Sequence, residues 1–177
     1  GECIKGIASD ADAVQKYSTA LRDAVSFGPC KNNSQVVECL VSAKAELNKP
    51  DAAMQIPLHN ALFHAADLSV IRLLIGAKSA LDAVTRQENN AFHLLAACEF
   101  LERTDKEMKE GQARRRSVAE YLFEIGLVHQ LCDRNIRGQT PRDVAVDNHW
   151  RALALFFDKK AAEYAVTCHE TMAQYIP

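Results

Sequence analysis

The sequence predicts an all-α protein, a solenoid of short helix pairs. Three observations carry that expectation. Ala and Leu are abundant while Gly and Pro number 7 and 5 in 177 residues, which favours helices with short connections. Pro57-Leu58-His59-Asn60-Ala61 has a counterpart in Ala91-Phe92-His93-Leu94-Leu95, and the two histidines stand 34 residues apart. A fixed period of that size marks a repeat array. Each segment is followed by a second apolar run, Val70-Ile71-Arg72-Leu73-Leu74-Ile75 or Val118-Ala119-Glu120-Tyr121-Leu122-Phe123. Two stripes per unit are too little to bury alone, so neighbours must stack.

In chain order, residues 1–18 are expected to form an N-terminal capping helix through Ala11 to Tyr17, with Ser9 or Asp10 as its cap. A degenerate first unit spans 19–55. It begins Thr19-Ala20-Leu21-Arg22-Asp23-Ala24, widens its turn around Gly28 to Asn33, and resumes at Val36-Val37-Glu38-Cys39-Leu40. The second unit, 56–89, opens on Pro57, a residue suited to the first helical position because no intrahelical donor is needed there. The third, 90–139, carries an insertion at 99–116, read as a solvated extension of both helices joined near Gly111. The fourth, 140–157, opens on Thr140-Pro141, where Thr140 can cap the helix and Asn90 can do the same in the third. Residues 158–177 are expected to add a C-terminal capping helix, with Ala161, Tyr164, Ala165 and Cys168 at helical spacing.

Pro57-Leu58-His59-Asn60-Ala61, Asn90-Ala91-Phe92-His93-Leu94 and Gly138-Gln139-Thr140-Pro141 together resemble the G-x-T-P-L-H-x-A signature of ankyrin repeats. Val36 to Asn48 is similar to the family's V-V-x-L-L-L-x-x-G-A-D-V-N, and Ala80-Leu81-Asp82-Ala83 to its turn. The resemblance covers about 19–157. It implies an ankyrin-repeat α-solenoid with β-turn fingers, in which His59 and His93 are scaffold residues tying turns together. Lys44, Lys78 and Glu88 stand where the family has glycine, and Gly126 and Gly138 retain it. Each replacement is expected to place a non-glycine residue at φ > 0, costing about 1 kcal/mol.

The resemblance implies a non-enzymatic module that binds a protein partner through fingertips and exposed faces of the first helices. Position by position, this picks Phe27, Phe63, His64, Asp147 and Asn148 on helices, and Gln55, Arg86, Gln87, Asn89, Arg137 and Gln139 in fingers. Phe27 and Phe63 stand out, since exposed aromatics bury much area at small entropic cost. Degenerate repeats with an insertion are also similar to those of bacterial effectors acting in host cells. Leu40, Glu46, Leu47 and Asn48 resemble the pattern read by asparaginyl hydroxylase, which marks Asn48 as a modification site.

A net charge of −2 predicts no general attraction to nucleic acid or anionic membranes. Arg114–Arg116 is a short basic run mixed with acids, read as a nuclear-import or phosphate patch or as a solvated helix face. No apolar run approaches the ~20 residues of a membrane span. Gly1-Glu2-Cys3 does not read as a signal peptide, and without Met it is expected to mark an excised fragment. The six cysteines contain no C-x-x-C pair; Cys39, Cys98 and Cys132 are expected as small core hydrophobes, reduced thiols of a cytoplasmic protein. Cys168-His169-Glu170 places a thiol beside an imidazole, but neighbours on a helix point about 100° apart. Hence no catalytic residue, metal, cofactor or small-molecule substrate is expected. The alternative is a regulatory or substrate-recruiting domain of a larger enzyme with cysteine-based activity.

Overall fold

The computed structural model describes residues 10–26, 33–97 and 105–173. Among them the regular structure is helical, with no strand. In order the helices are α1 (Asp10–Ser26), α2 (Asn33–Ser42), α3 (Pro57–Phe63), α4 (Leu68–Gly76), α5 (Ala91–Ala97), α6 (Asp105–Glu124), α7 (Pro141–Asp147) and α8 (Arg151–Ala173). A 3₁₀ segment, Leu127–Cys132, follows α6. The chain divides into two compact units, Gly1–Ala80 and Leu81–Pro177.

In the first unit α1 packs on α2 and α3, and α4 packs on α2 and α3. Leu21 and Val25 of α1, Val37 of α2, Leu58 and Leu62 of α3, and Ile71 and Leu74 of α4 are all fully buried or nearly so. Each such aliphatic side chain removed from water contributes about 1.5–3 kcal/mol before the entropy of ordering it. The Ser18 hydroxyl accepts the Glu46 N–H at 2.9 Å, tying the middle of α1 to the loop after α2.

In the second unit α7 packs on α5 and α8, and α6 packs on α5 and α8. Its core holds an aromatic cluster among aliphatic side chains such as Leu95 and Leu122. Phe92 stacks on Phe123 with ring centroids 5.0 Å apart and meets the edge of Phe157 at 5.6 Å. Phe123 in turn meets Phe156 at 5.4 Å.

Three helix starts share one device. The residue at the third helical position reaches back to the backbone N–H of the N-cap, as an acid does in a capping box. Asp143 Oδ2 accepts Thr140 N–H at 3.0 Å, His93 Nδ1 accepts Asn90 N–H at 3.3 Å, and His59 Nδ1 accepts Ile56 N–H at 3.4 Å. Thr140 and Asn90 return the bond through their own side chains, to Asp143 N–H at 3.3 Å and His93 N–H at 3.1 Å. Ile56 has no acceptor to offer, so α3 keeps only half of the device.

Helix ends are equally regular. Lys44, Ala65, Lys78 and His149 lie at φ of 60, 49, 69 and 62°, each just past a helix. Around each, one amide bonds three residues back and the next bonds five back, as Lys78 to Ile75 at 2.9 Å and Ser79 to Leu74 at 3.1 Å. These are Schellman ends, in which glycine normally supplies the left-handed residue. Gly126 serves the same position after α6 at φ 91°.

Three expectations about helix boundaries are corrected. No separate capping helix ends at residue 18: α1 runs unbroken to Ser26, since nothing between Tyr17 and Leu21 stops a helix. The helix expected from Asp158 is the continuation of α8, which begins at Arg151. The break expected near Gly111 does not occur either. α6 passes straight through it, since a single glycine costs a helix only about 1 kcal/mol, and a Cβ added there would stand an ordinary 3.8 Å from the Trp150 ring.

Candidate functional site

Short turns connect one helix pair to the next, and each is organised by one small polar side chain. Asp51 Oδ1 accepts the N–H of Ala53 and of Gln55, both at 2.8 Å. Thr85 Oγ1 accepts Gln87 N–H and Asn89 N–H, both at 3.3 Å. Asn135 Oδ1 accepts Arg137 N–H at 3.0 Å and Gln139 N–H at 3.1 Å. In every case the turn closes on a backbone pair, and the fourth residue (Met54, Glu88 or Gly138) takes φ of 57, 58 or 73°. Side chains that bond their own backbone two residues on are the physical reason such sequences form turns.

In the Leu81–Pro177 unit two of these turns lie side by side. Ile136 N–H donates to Gln87 C=O at 3.1 Å, and Asn135 Nδ2 donates to Asn89 Oδ1 at 3.0 Å. Behind them His93, fully buried on α5, holds the second turn by donating from Nε2 to Gln139 C=O at 2.8 Å. A carbonyl only accepts, so that bond puts a proton on Nε2, while Nδ1 lies 3.3 Å from the Asn90 N–H and 2.8 Å from Asn90 Oδ1. Burial lowers the His93 pKa below the ordinary 6.5, against the opposing pull of the Gln139 carbonyl and of Asp133 and Asp143. Asn90 completes the support, its Nδ2 donating to Gln130 C=O at 2.8 Å and to Asp133 Oδ2 at 3.1 Å.

The two turns, the end of α5 and α7 form a half-open cavity of about 270 Å³. Gln87 and Asn89 line it from the first turn, and Asn135, Arg137 and Gln139 from the second. α7 contributes Val144 and Asp147, Asn148 follows it, and Ala97 closes α5. Gln139 Nε2 donates to Asp147 Oδ2 at 2.6 Å, bridging turn and helix, and Asn148 Nδ2 caps the Val144 carbonyl at 2.9 Å. The lining is thus mostly amides, with one cation, one anion and the small apolar side chains of Ala97 and Val144.

Of the residues expected to contact a partner, Gln87, Asn89, Arg137, Gln139, Asp147 and Asn148 come together at this cavity. Arg86 is exposed on the same turn without lining it. Gln55, Phe63 and His64 belong to the Gly1–Ala80 unit. There Phe63 is half-buried with its ring 5.1 Å from His64, edge to face, and His64 has its pKa lowered by partial burial. Phe27 lies outside the described residues. Sequence reasoning missed Asn135 and Val144; the signal for Asn135 was its place as the turn-organising residue, equivalent to Asp51 and Thr85.

Asn48, the expected modification site, is exposed and uses its whole amide to clip a later loop. Its Oδ1 accepts Ala80 N–H at 2.7 Å and its Nδ2 donates to Lys78 C=O at 3.2 Å.

The Arg114–Arg116 run does not form a basic patch. Arg115 is 3% exposed, donates from Nη1 to Leu95 C=O at 2.6 Å and stacks with Cζ 4.5 Å from the Trp150 ring centroid. Arg116 pairs with Glu120 at 3.0 Å and lies over Phe156. Consecutive residues on a helix diverge by about 100°, so three arginines in a row cannot share one face. The same geometry corrects the expectation that the whole insertion is solvated.

Two cysteines also depart from expectation. Cys39 and Cys132 are exposed rather than in the core. Cys39 follows buried Val37 by two residues, which turns it to the far side of α2, and Cys132 ends the 3₁₀ segment. Cys98 lies outside the described residues, as do the side chains of Cys168, His169 and Glu170. Among the described residues no cluster of three His, Cys, Asp or Glu could hold a metal ion, and no helix is long and apolar enough to cross a membrane. No protein-family model matches the chain, and no curated protein matches it.

Proposed function

We propose that the chain is an ankyrin-repeat protein, a stack of helix pairs with projecting turns that serves as a protein-interaction module. Recurrence supports the fold reading: three turns built on Asp51, Thr85 and Asn135, three helix starts built on His59, His93 and Asp143, and four Schellman ends. Such units stack because neither helix of a pair buries enough surface alone.

One observation carries the functional reading. Six side chains picked as partner contacts line a single polar cavity between two fingers and α7. The carboxamides of Gln87, Asn89, Gln139 and Asn148 offer donors and acceptors at fixed places, which suits the main chain of a partner segment. The partner is therefore a protein, and binding requires neither a cofactor nor a chemical step.

A photo-reactive amino acid placed at Arg137, and separately at Leu155 on the exposed face of α8, tests this reading. In cell extract the chain labelled at 137 is expected to yield a discrete protein adduct that excess unlabelled chain suppresses, with little adduct at 155. Equal labelling at both positions, or none that competes, refutes it.

A further inference from the structure

We propose that the cavity recognises an acidic side chain on an extended partner segment, with Arg137 as the residue that takes the carboxylate. This rests on the reading above that the face binds protein, and it adds the chemistry of the bound residue. The observation behind it is how differently two neighbouring arginines are used. Arg134 spends its guanidinium within its own turn, on the Gly138 carbonyl at 2.5 Å. Arg137 lines the cavity and is anchored through its backbone N–H, on Asn135 Oδ1 at 3.0 Å, and its guanidinium makes no ion pair or hydrogen bond among the described residues.

A guanidinium offers five N–H donors in a planar fork that matches a carboxylate bidentately. Asn89 adds to that donor set. Its Oδ1 is held by Asn135 Nδ2, which leaves its NH₂ as the group it presents to a ligand. Asp147 supplies the opposite sign, and the Gln139 amide at 2.6 Å occupies only one of its oxygens. The cavity is therefore bipolar: it wants an anion at Arg137 and an N–H donor at Asp147. An acidic residue within an extended chain provides both, through its carboxylate and a neighbouring peptide or basic group. The volume, about 270 Å³, fits one side chain with its flanking peptide units. It falls below the roughly 300–1,000 Å³ of pockets for drug-sized molecules.

A random-peptide display library panned against the whole chain is the test, run in parallel on Arg137→Ala, Arg137→Lys and Arg137→Glu. Unchanged helical circular dichroism certifies each variant as folded. The wild type is expected to enrich peptides containing Asp or Glu, and a winning peptide should bind Arg137→Ala about tenfold or more weakly, the scale of one charge-assisted bond. Arg137→Lys should recover part of that loss, and Arg137→Glu should change the preference to Lys or Arg, an outcome that no folding defect produces. Enrichment without any acidic preference overturns the carboxylate assignment while leaving peptide binding intact. Enrichment only of peptides synthesised with phosphoserine also overturns it. Failure to enrich any peptide removes the protein-binding reading and this proposal with it.

Discussion

The imidazole Nε2 of His93 lies 2.8 Å from the carbonyl oxygen of Gln139, so a buried helix residue holds the turn that lines the cavity. Replacing His93 by Leu leaves the buried Asn90 N–H without this partner, at a cost of about 1–3 kcal/mol, whereas the part-buried Gln139 carbonyl keeps the Asn135 N–H at 3.0 Å. The pH dependence follows from the direction of its shift. Burial lowers the folded-state pKa below 6.5, so the unfolded chain takes up the proton first as pH falls. Stability attributable to neutral His93 is complete above about pH 6.5 and declines below it, until the folded pKa is passed. Urea titrations followed by Trp150, the single tryptophan, should show this decline between pH 7.5 and 5.5 in the wild type and a shallower one in His93→Asn. Parallel slopes would show that His93 does not titrate in that window.

Arg115 is a second buried polar anchor, and its chemistry separates it from a lysine. Its guanidinium bonds the Leu95 carbonyl at the C-terminal part of α5 and stacks on Trp150 at the start of α8. Arg115→Ala loses the stack, the bond and the packing of the stem, and should lower the stability of the Leu81–Pro177 unit by about 2–4 kcal/mol. Arg115→Lys keeps the charge but not the planar fork, and should recover less than half of that. Trp150 emission reports both, shifting red where the stack is lost. A variant with wild-type emission and midpoint would mean that the arginine contributes nothing to the core.

How far the sequence discloses this structure depends on whether a position announces its own physics. Lys44, Lys78 and Glu88 are legible as left-handed residues because they stand in phase with Gly126 and Gly138. Ala65 and His149 take the same conformation unannounced, since no glycine in phase marks them, and Met54 is in phase with Gly138 only once the Asp51 and Asn135 turns are aligned. Arg115 is illegible for another reason: in a run of charges the rule is exposure, and only the tertiary position of Trp150 reverses it. Helix continuity fails the same way. Gly111 reads as a joint from propensity alone, but a glycine's cost of about 1 kcal/mol is too small to break a 20-residue helix that Arg115 holds against Trp150. At the cavity, Arg137 and Asp147 follow from repeat phase, whereas Asn135 is hidden as a turn residue whose side chain also forms the wall.

Exposure of Cys39 and Cys132 makes a chemical prediction. Both thiols should react with a neutral alkylating reagent in the native protein, at rates of the order shown by an unstructured thiol peptide. Mass spectrometry of the modified protein should place adducts on the peptides containing each. Protection of Cys132 under native conditions, released by urea, would show that the end of the 3₁₀ segment is covered. Cys132→Ser should leave the unfolding midpoint within about 0.5 kcal/mol of wild type, as expected of an exposed substitution.

Glycine exchanges at three places test the backbone reading, because the same chemical change should act with opposite signs. Lys78 holds φ at 69° past the end of α4 with its side chain in solvent, so Lys78→Gly relieves strain and should stabilise by about 1 kcal/mol. Gly126 holds φ at 91° with nothing near its missing Cβ, so Gly126→Ala meets no clash yet should destabilise by about 1 kcal/mol through conformation alone. Gly111 lies within α6 at no unusual φ, and an added methyl meets the Trp150 ring at an ordinary 3.8 Å. There Gly111→Ala should stabilise by about 0.5–1 kcal/mol, combining helix propensity with a new contact. Urea midpoints by circular dichroism serve for Lys78, and Trp150 fluorescence serves for the other two. If Gly111→Ala destabilised instead, α6 would have to break at residue 111 in solution. The long helix that carries Arg115 to Trp150 would then be wrong.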